Sequence, residues 1–253
     1  MKYIAIIPAR YASTRFPGKP LTNLCGKTVI QRVYEQVKKQ MSDICVATDD
    51  TRIFEHVKSW GGNVIMTRND HNSGTDRIEE AIEKIEAQGK KYDVIVNVQG
   101  DEPFIQPDQI ATLCECFNDE STQIATLGIK FTKDIETISN PNSPKIIRDN
   151  NGFAMYFSRS VIPFCRNKET KDWPEAYPYM KHIGMYAYRR NVLREITSLP
   201  QSSLEIAESL EQLRWLQNGY KIKVGETSFE TIGIDTPEDL KKAEKFLTDT
   251  ENA

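Results

Sequence analysis

The residues best suited to chemistry lie near the start of the chain, in Ile6-Ile7-Pro8-Ala9-Arg10-Tyr11-Ala12-Ser13-Thr14-Arg15-Phe16-Pro17-Gly18-Lys19-Pro20. An apolar strand pattern ends there and a loop begins that carries Arg10, Arg15 and Lys19. Phosphate oxygens seek cations and main-chain N–H donors. Gly18 permits close backbone approach, while Pro17 and Pro20 restrict the loop. Three cations on such a loop suit a triphosphate better than a neutral ligand. The spacing is neither G-x-x-x-x-G-K-[ST] nor G-x-G-x-x-G, and composition alone leaves a solvated surface loop as the competing reading.

Three further segments carry usable groups. Val96-Asn97-Val98-Gln99-Gly100-Asp101-Glu102-Pro103 reads as a buried strand ending in Gly-Asp. Beside a triphosphate, Asp101 suits a Mg²⁺ ligand, because magnesium is held by one or two carboxylates together with substrate phosphates. A turn cap is the alternative. Asp235, in Ile234-Asp235-Thr236-Pro237, ends an expected strand and opens a helix. It reads as an N-cap, or as a second carboxylate for the same metal if the two strand ends lie side by side. Met66 to Arg77 leaves a strand for a helix and offers Ser73, Gly74 and Thr75 as hydroxyl and backbone groups for a base. His56, His71 and His182 show no metal-ligand spacing.

The elements that must position these groups follow from periodicity. Tyr3–Ile7, Asp43–Thr48, Asn63–Met66 and Asp93–Val98 predict strands; Val29–Lys39, Thr51–Trp60 and Thr75–Glu86 predict helices. Alternating strand and helix implies a parallel sheet with helices on both faces, which binds ligands outside the carboxyl ends of its strands. Beyond Gln123–Lys130 the pattern changes. Lys145–Arg148 and Ala154–Phe157 predict a hairpin around Asp149-Asn150-Asn151-Gly152, followed by a loose stretch at Arg166–Pro178 and a strand at His182–Tyr188. Residues 131–190 are thus expected to form an antiparallel insertion between the core segments 1–130 and 191–253. Helices at Arg190–Leu199 and Ser203–Asn218, strands at Lys221–Val224 and Glu230–Ile234, and a helix from Pro237 complete the pattern.

With 33 basic and 36 acidic residues in 253, the net charge of −3 offers no basic excess for a nucleic acid. No apolar run approaches the ~20 residues of a membrane span, and the amino-terminal strand pattern does not read as a signal peptide. Five irregularly spaced cysteines read as reduced thiols, so a cytoplasmic location is expected.

Taken in order, these segments resemble the sugar-acid cytidylyltransferases. The resemblance spans essentially the whole chain. It is carried by the Ile7–Pro20 run, Val46-Ala47-Thr48-Asp49, Met66-Thr67-Arg68, His71-Asn72-Ser73-Gly74-Thr75-Asp76-Arg77 and Asn97-Val98-Gln99-Gly100-Asp101-Glu102-Pro103. Downstream it includes Tyr156-Phe157-Ser158-Arg159, Lys181-His182-Ile183-Gly184, Leu210-Glu211-Gln212-Leu213-Arg214 and Asp235-Thr236-Pro237-Glu238-Asp239-Leu240. It implies a Rossmann-like nucleotidyltransferase fold of the nucleotide-diphospho-sugar transferase type: a mostly parallel mixed sheet flanked by helices, with a smaller antiparallel insertion serving the sugar acid and dimerisation. The implied reaction transfers CMP from CTP to the anomeric hydroxyl of 3-deoxy-D-manno-octulosonate (Kdo), releasing pyrophosphate, for lipopolysaccharide biosynthesis. Arg10, Arg15 and Lys19 would hold the phosphates, and Asp101 and Asp235 the Mg²⁺. Ala9, Ser73, Gly74 and Arg77 would take the nucleoside, and Gln99, Arg159, His182, Tyr186 and Glu211 the sugar acid, with Arg159 on its carboxylate. A homodimer is implied, with no nucleic-acid or membrane partner. Other acceptors remain open (8-amino-Kdo, sialic, legionaminic or pseudaminic acid), as does a non-catalytic nucleotide-sugar sensor. The Arg166–Pro178 stretch matches no family pattern.

Overall fold

The structure is a computed structural model and describes residues 1–12, 15–131, 134–230 and 233–251. Its principal elements, in chain order, begin with β1 (Tyr3–Ala9), α1 (Val29–Lys38), β2 (Ile44–Thr48), α2 (Thr51–Ser59), β3 (Val64–Met66), α3 (Gly74–Glu86) and β4 (Val94–Asn97). They continue with α4 (Pro107–Glu115), β5 (Ile124–Lys130), β6 (Lys145–Arg148), β7 (Ala154–Ser158), β8 (Met180–Arg189), α5 (Arg190–Thr197), α6 (Ser203–Glu208), α7 (Gln212–Gln217), β9 (Ile222–Glu226) and α8 (Pro237–Glu251). The chain divides into two compact units, one of Met1–Ile110 with Thr231–Ala253, the other of Ala111–Glu230.

In the first unit, β1 pairs in parallel with β4 on one side and β2 on the other, and β2 pairs in parallel with β3. Every residue of β2 and β4 is buried, which explains their unbroken apolar runs: a parallel strand covered on both faces has no polar side to show. The helices take the expected apolar stripes. Val29, Ile30, Val33, Tyr34 and Val37 are buried on α1, and Ile78, Ala81, Ile82 and Ile85 on α3. Each buried Val or Ile side chain among them contributes roughly 1.5–3 kcal/mol through burial. The register places Ala9 beside Thr48 and Thr48 beside Met66, while Ile6 lies beside Asn97. The loops that follow therefore leave a common edge of the sheet. Gly100 permits the closest approach there, since a Cβ at this position would lie 2.8 Å from the Pro8 carbonyl oxygen.

The second unit is mixed. β5 pairs in parallel with β9 and antiparallel with β8; β6 pairs antiparallel with both β8 and β7. The predicted turn is present: Gly152 N–H donates to the Asp149 carbonyl at 3.0 Å and Asp149 N–H to the Phe153 carbonyl at 2.8 Å. Residues 131–190 lie inside this unit and supply its antiparallel strands β6, β7 and β8.

Two expectations are corrected. The single helix read over Ser203–Asn218 is two helices, α6 and α7, broken at Ser209, which adopts the left-handed conformation (φ 50°, ψ 49°). The strand read over Glu230–Ile234 is absent among the described residues of that stretch, 231 and 232 lying outside them; Ile234 instead donates its N–H to the Asp101 carbonyl at 2.9 Å. Ile234 is fully buried with Leu24, Val29, Phe104 and Ala243, so its apolar character serves core packing.

Candidate active site

A cavity of about 230 Å³ opens at the common strand edge of the first unit. Ala9, Arg10, Arg15, Lys19, Ser73, Gly74, Arg77, Gln99, Asp101 and Asp235 all line it. These include every residue that the resemblance names for the phosphates, the metal and the nucleoside, together with Gln99 from the sugar-acid group; Thr75, also offered for a base, is buried and does not line it.

Lys19 organises the polar floor. Its side chain is 12% exposed, and its ammonium lies 2.6 Å from Asp101 Oδ2 and 3.2 Å from Asp235 Oδ1. Arg15 reaches the same Asp235 carboxylate at 3.1 and 3.2 Å. The two acids, far apart in sequence, thus converge on one cation, and the Ile234–Asp101 backbone hydrogen bond holds their loops together. Asp235 is not the cap of α8. That role belongs to Thr236, whose hydroxyl accepts from Asp239 N–H at 3.2 Å while the Asp239 carboxylate accepts from Thr236 N–H at 3.1 Å. This reciprocal capping leaves the Asp235 carboxylate to the cavity.

The opposite wall comes from the start of α3. Ser73 and Asp76 form a capping box, with 3.1 Å hydrogen bonds in both directions. The Ser73 hydroxyl is therefore used by the helix. Arg77 is held side-on, its guanidinium donating to Thr67 Oγ1 at 2.6 Å and the Arg68 carbonyl at 3.3 Å, with Asp49 at 3.4 Å.

Pro8, Pro20, His71, Asn72 and Gly100 also line the cavity and were not named as site residues from sequence. His71 bonds through Nε2 to Glu80, which also accepts from Arg68 N–H and pairs with Lys84 at 2.7 Å. Burial opposes the charged form of Glu80, but hydrogen bonds from Lys84, Arg68 and His71 outweigh it and hold its pKa at about 2. The signal for His71 was its place just ahead of the Ser73 cap; its lack of metal-ligand spacing drew attention away from it.

The other sugar-acid candidates lie in the second unit. His182 bonds Thr126 Oγ1 at 3.1 Å, and its ring meets Phe157 and Tyr186 with centroids 5.1 and 5.5 Å away. Burial pushes the His182 pKa down to about 3, so the ring is neutral. Tyr186, 8% exposed, packs edge-on against Trp215 at 5.1 Å, and burial, with Tyr188 and Glu211 nearby, raises its pKa. Glu211 pairs with Arg214 at 3.0 Å. Arg159 donates to the carbonyls of Glu208 (2.7 Å), Pro141 (2.9 Å) and Ser209 (3.2 Å).

Among the described residues no three or more His, Cys, Asp or Glu side chains cluster as a metal site, and no helix is long and apolar enough to cross a membrane. Two convergent carboxylates beside a cluster of cations nonetheless fit the oxygen donor set that Mg²⁺ takes.

An α/β sheet whose strand ends present three cations and two acids to one cavity defines a nucleotide-binding enzyme of the phosphoryl- or nucleotidyl-transfer class. The chain belongs to the cytidylyltransferase family, whose model matches residues 4–222. The 3-deoxy-manno-octulosonate cytidylyltransferase of Parabacteroides distasonis is 62% identical over 250 residues, covering 98% of each chain. That of Bacteroides thetaiotaomicron is 63% identical over 249 residues, again covering 98% of each. A solved structure of CMP:2-keto-3-deoxy-manno-octonic acid synthetase complexed with CTP superposes with a TM-score of 0.90 at 41% identity, over 99% of this chain and 100% of the other. A 4-diphosphocytidyl-2C-methyl-D-erythritol synthase from Anaerococcus prevotii shares the fold alone, at TM-score 0.61 and 17% identity over 98% and 99% of the two chains.

Proposed function

We propose that this chain transfers CMP from CTP to the anomeric hydroxyl of 3-deoxy-D-manno-octulosonate, giving CMP-Kdo and pyrophosphate. The observation that carries the reading is Lys19 held between Asp101 and Asp235 in a cation-lined cavity. In this reading Arg10, Arg15 and Lys19 take the triphosphate and offset the charge that develops on departing pyrophosphate. Ala9, Ser73, Gly74 and Arg77 take the nucleoside, with the Ser73 hydroxyl and main-chain N–H both held by the helix cap. Asp101 and Asp235 are the residues that would hold Mg²⁺. When bound, a divalent ion polarises the α-phosphate and eases ionisation of the attacking hydroxyl. Gln99, Arg159, His182, Tyr186 and Glu211 are assigned to the sugar acid, with Arg159 on its carboxylate because a guanidinium can pair with it bidentately.

The full-length similarity to 3-deoxy-manno-octulosonate cytidylyltransferases supports this acceptor and, with it, a place in lipopolysaccharide biosynthesis in the cytoplasm. A homodimer is part of the same reading, supported by the apolar side chains of Met155 and Phe164, which are 63% and 73% exposed. Sedimentation at micromolar concentration tests the dimer, and a monomer there would remove it. The activity itself is tested by pyrophosphate release from CTP with Mg²⁺ and a panel of sugar acids. Release is expected with Kdo; release with none of them would end the transferase reading, and preference for a sialic or legionaminic acid would reassign the acceptor.

A further inference from the structure

The loop after β1 turns back on itself, and Tyr11 stands where it does so. Gly18 donates its N–H to the Tyr11 carbonyl at 3.0 Å, closing the loop just ahead of Lys19. Gly18 sits at φ 73°, in the left-handed region, and a Cβ there would lie 3.0 Å from Cζ and Oη of Tyr11. The phenol ring is thus packed directly on the Gly18 backbone. The same ring carries the Arg52 guanidinium, whose Cζ is 3.3 Å from the ring centroid. Arg52 is fixed in turn: its Nε and terminal nitrogen donate to the two Asp50 oxygens at 3.0 and 2.6 Å. Asp50 also caps α2 by accepting from Arg52 N–H at 2.9 Å. Arg52 holds the Asp50 carboxyl below its usual pKa, mainly through the side-chain hydrogen bond.

The chain of contacts runs from the end of β2, through Asp50, Arg52 and the Tyr11 ring, to Gly18. Its effect is to clip the loop after β1 to the start of α2. Among the described residues, neither Tyr11 nor Arg52 lines the cavity, whereas Arg10, Arg15 and Lys19 all do. We propose that Tyr11 and Arg52 are positioning residues for CTP: they hold the loop in the shape that brings its three cations together, without touching the nucleotide. This rests on the transferase reading above. The ring meets Arg52 with its face and Gly18 with its Cζ–Oη edge, and among the described residues the hydroxyl makes no hydrogen bond, so the ring rather than hydrogen bonding carries the contact.

The test is calorimetric binding of CTP with Mg²⁺ to the wild type, Tyr11→Ala, Tyr11→Phe, Arg52→Ala and the Tyr11→Ala/Arg52→Ala double variant. Tyr11→Ala is expected to weaken CTP binding by roughly tenfold or more, since small misplacements of binding groups are costly. Arg52→Ala should weaken it about threefold, as an exposed cation–π contact would. Because Arg52 acts through the ring, the double variant should bind no worse than Tyr11→Ala, and Tyr11→Phe should bind like the wild type. The KM for the sugar acid should stay within about twofold of the wild type in every variant. Amide exchange at Gly18 should quicken in Tyr11→Ala while the β1 and β4 amides remain protected. Unchanged CTP binding in a folded Tyr11→Ala protein would overturn the proposal, as would Tyr11→Phe binding as poorly as Tyr11→Ala, or full additivity in the double variant. If Tyr11→Ala does not fold, Arg52→Ala decides alone, because its side chain lies 60% exposed. Wild-type protein that takes up no CTP would overturn the transferase reading and this role with it; wild-type binding matched by every variant would overturn the positioning role alone.

Discussion

The residues assigned to the nucleotide and those assigned to the sugar acid are built on opposite plans. In the first unit, cations and acids stand on loops at the ends of parallel strands and face a cavity. Their partners are one another: Lys19 with Asp101 and Asp235, Arg15 with Asp235. In the second unit, the named residues are satisfied by their own surroundings. His182 and Tyr186 belong to an aromatic cluster with Phe157 and Trp215, and Arg159 is tied to three carbonyls. The contrast separates a site whose charges can exchange partners from one whose side chains carry structure as well. Substitutions in the first region should therefore act on turnover with little loss of stability, whereas those in the second should act on both.

The largest expected effect tests the first half of that contrast. Asp101→Asn or Asp235→Asn should lower turnover by roughly 100-fold or more, the scale of a lost electrostatic contact in a transition state. The thermal midpoint of Asp235→Asn should barely move, because Asp235 is half exposed and exposed pairs contribute little to stability. A large drop in the midpoint would erase the distinction between the regions.

Next comes Arg159→Ala, expected to raise the KM for the sugar acid about tenfold, leave that for CTP unchanged and lower the thermal midpoint as three carbonyls lose their donor. An unchanged dependence on sugar concentration would return Arg159 to a purely structural role.

A smaller effect concerns pH. His182 is held neutral in the fold, with a pKa near 3 against an ordinary value near 6.5. The unfolded chain takes up this proton first, so stability from the neutral ring is complete above pH ~6.5 and is lost as pH falls toward 3. Denaturant midpoints of His182→Gln should fall less steeply across that window than those of the wild type. Identical slopes would mean that the ring is not desolvated.

The smallest effect is at Glu80. Its depressed pKa makes its contribution complete above pH ~4.5 and lost as pH falls through about 2. Glu80→Gln should therefore lower stability slightly at pH 7 and not at pH 2, as read from thermal midpoints at the two values.

How much of this was legible in the sequence depends on whether the cause was local. The β1–α1–β2–α2–β3–α3–β4 alternation appeared within a residue or two of its observed bounds, because burial on one stripe or on both faces writes itself into periodicity. The convergence of Asp101 and Asp235 was legible only through the family resemblance, which gave both to one metal. A backbone hydrogen bond between residues 101 and 234 joins their loops, and no local pattern encodes such a pairing. The Thr236–Asp239 box was in plain view as T-x-x-D, but Asp235, a good capping residue itself, concealed it. The break at Ser209 carried no glycine or proline to announce it. Its carbonyl is taken by Arg159, a partner fifty residues away, which supports a conformation that serine alone disfavours. The residues read for the nucleotide line one cavity because they follow strand ends, which periodicity reveals; the engagement of Arg159 by main-chain oxygens was invisible because no local pattern encodes a contact fifty residues away.

Lys19 between two carboxylates also acts as a filter on what the cavity admits. A lone anion, whether orthophosphate, pyrophosphate or a metal-free nucleotide, meets an ammonium already neutralised and must compete with both acids for it. A lone divalent cation meets the same obstacle from the other side. A ligand that brings both charges at once exchanges partners with the triad and leaves nothing unpaired. The resting triad thus favours a ligand that brings both charges over one that brings either alone, a preference set by three side chains before any base or sugar is read.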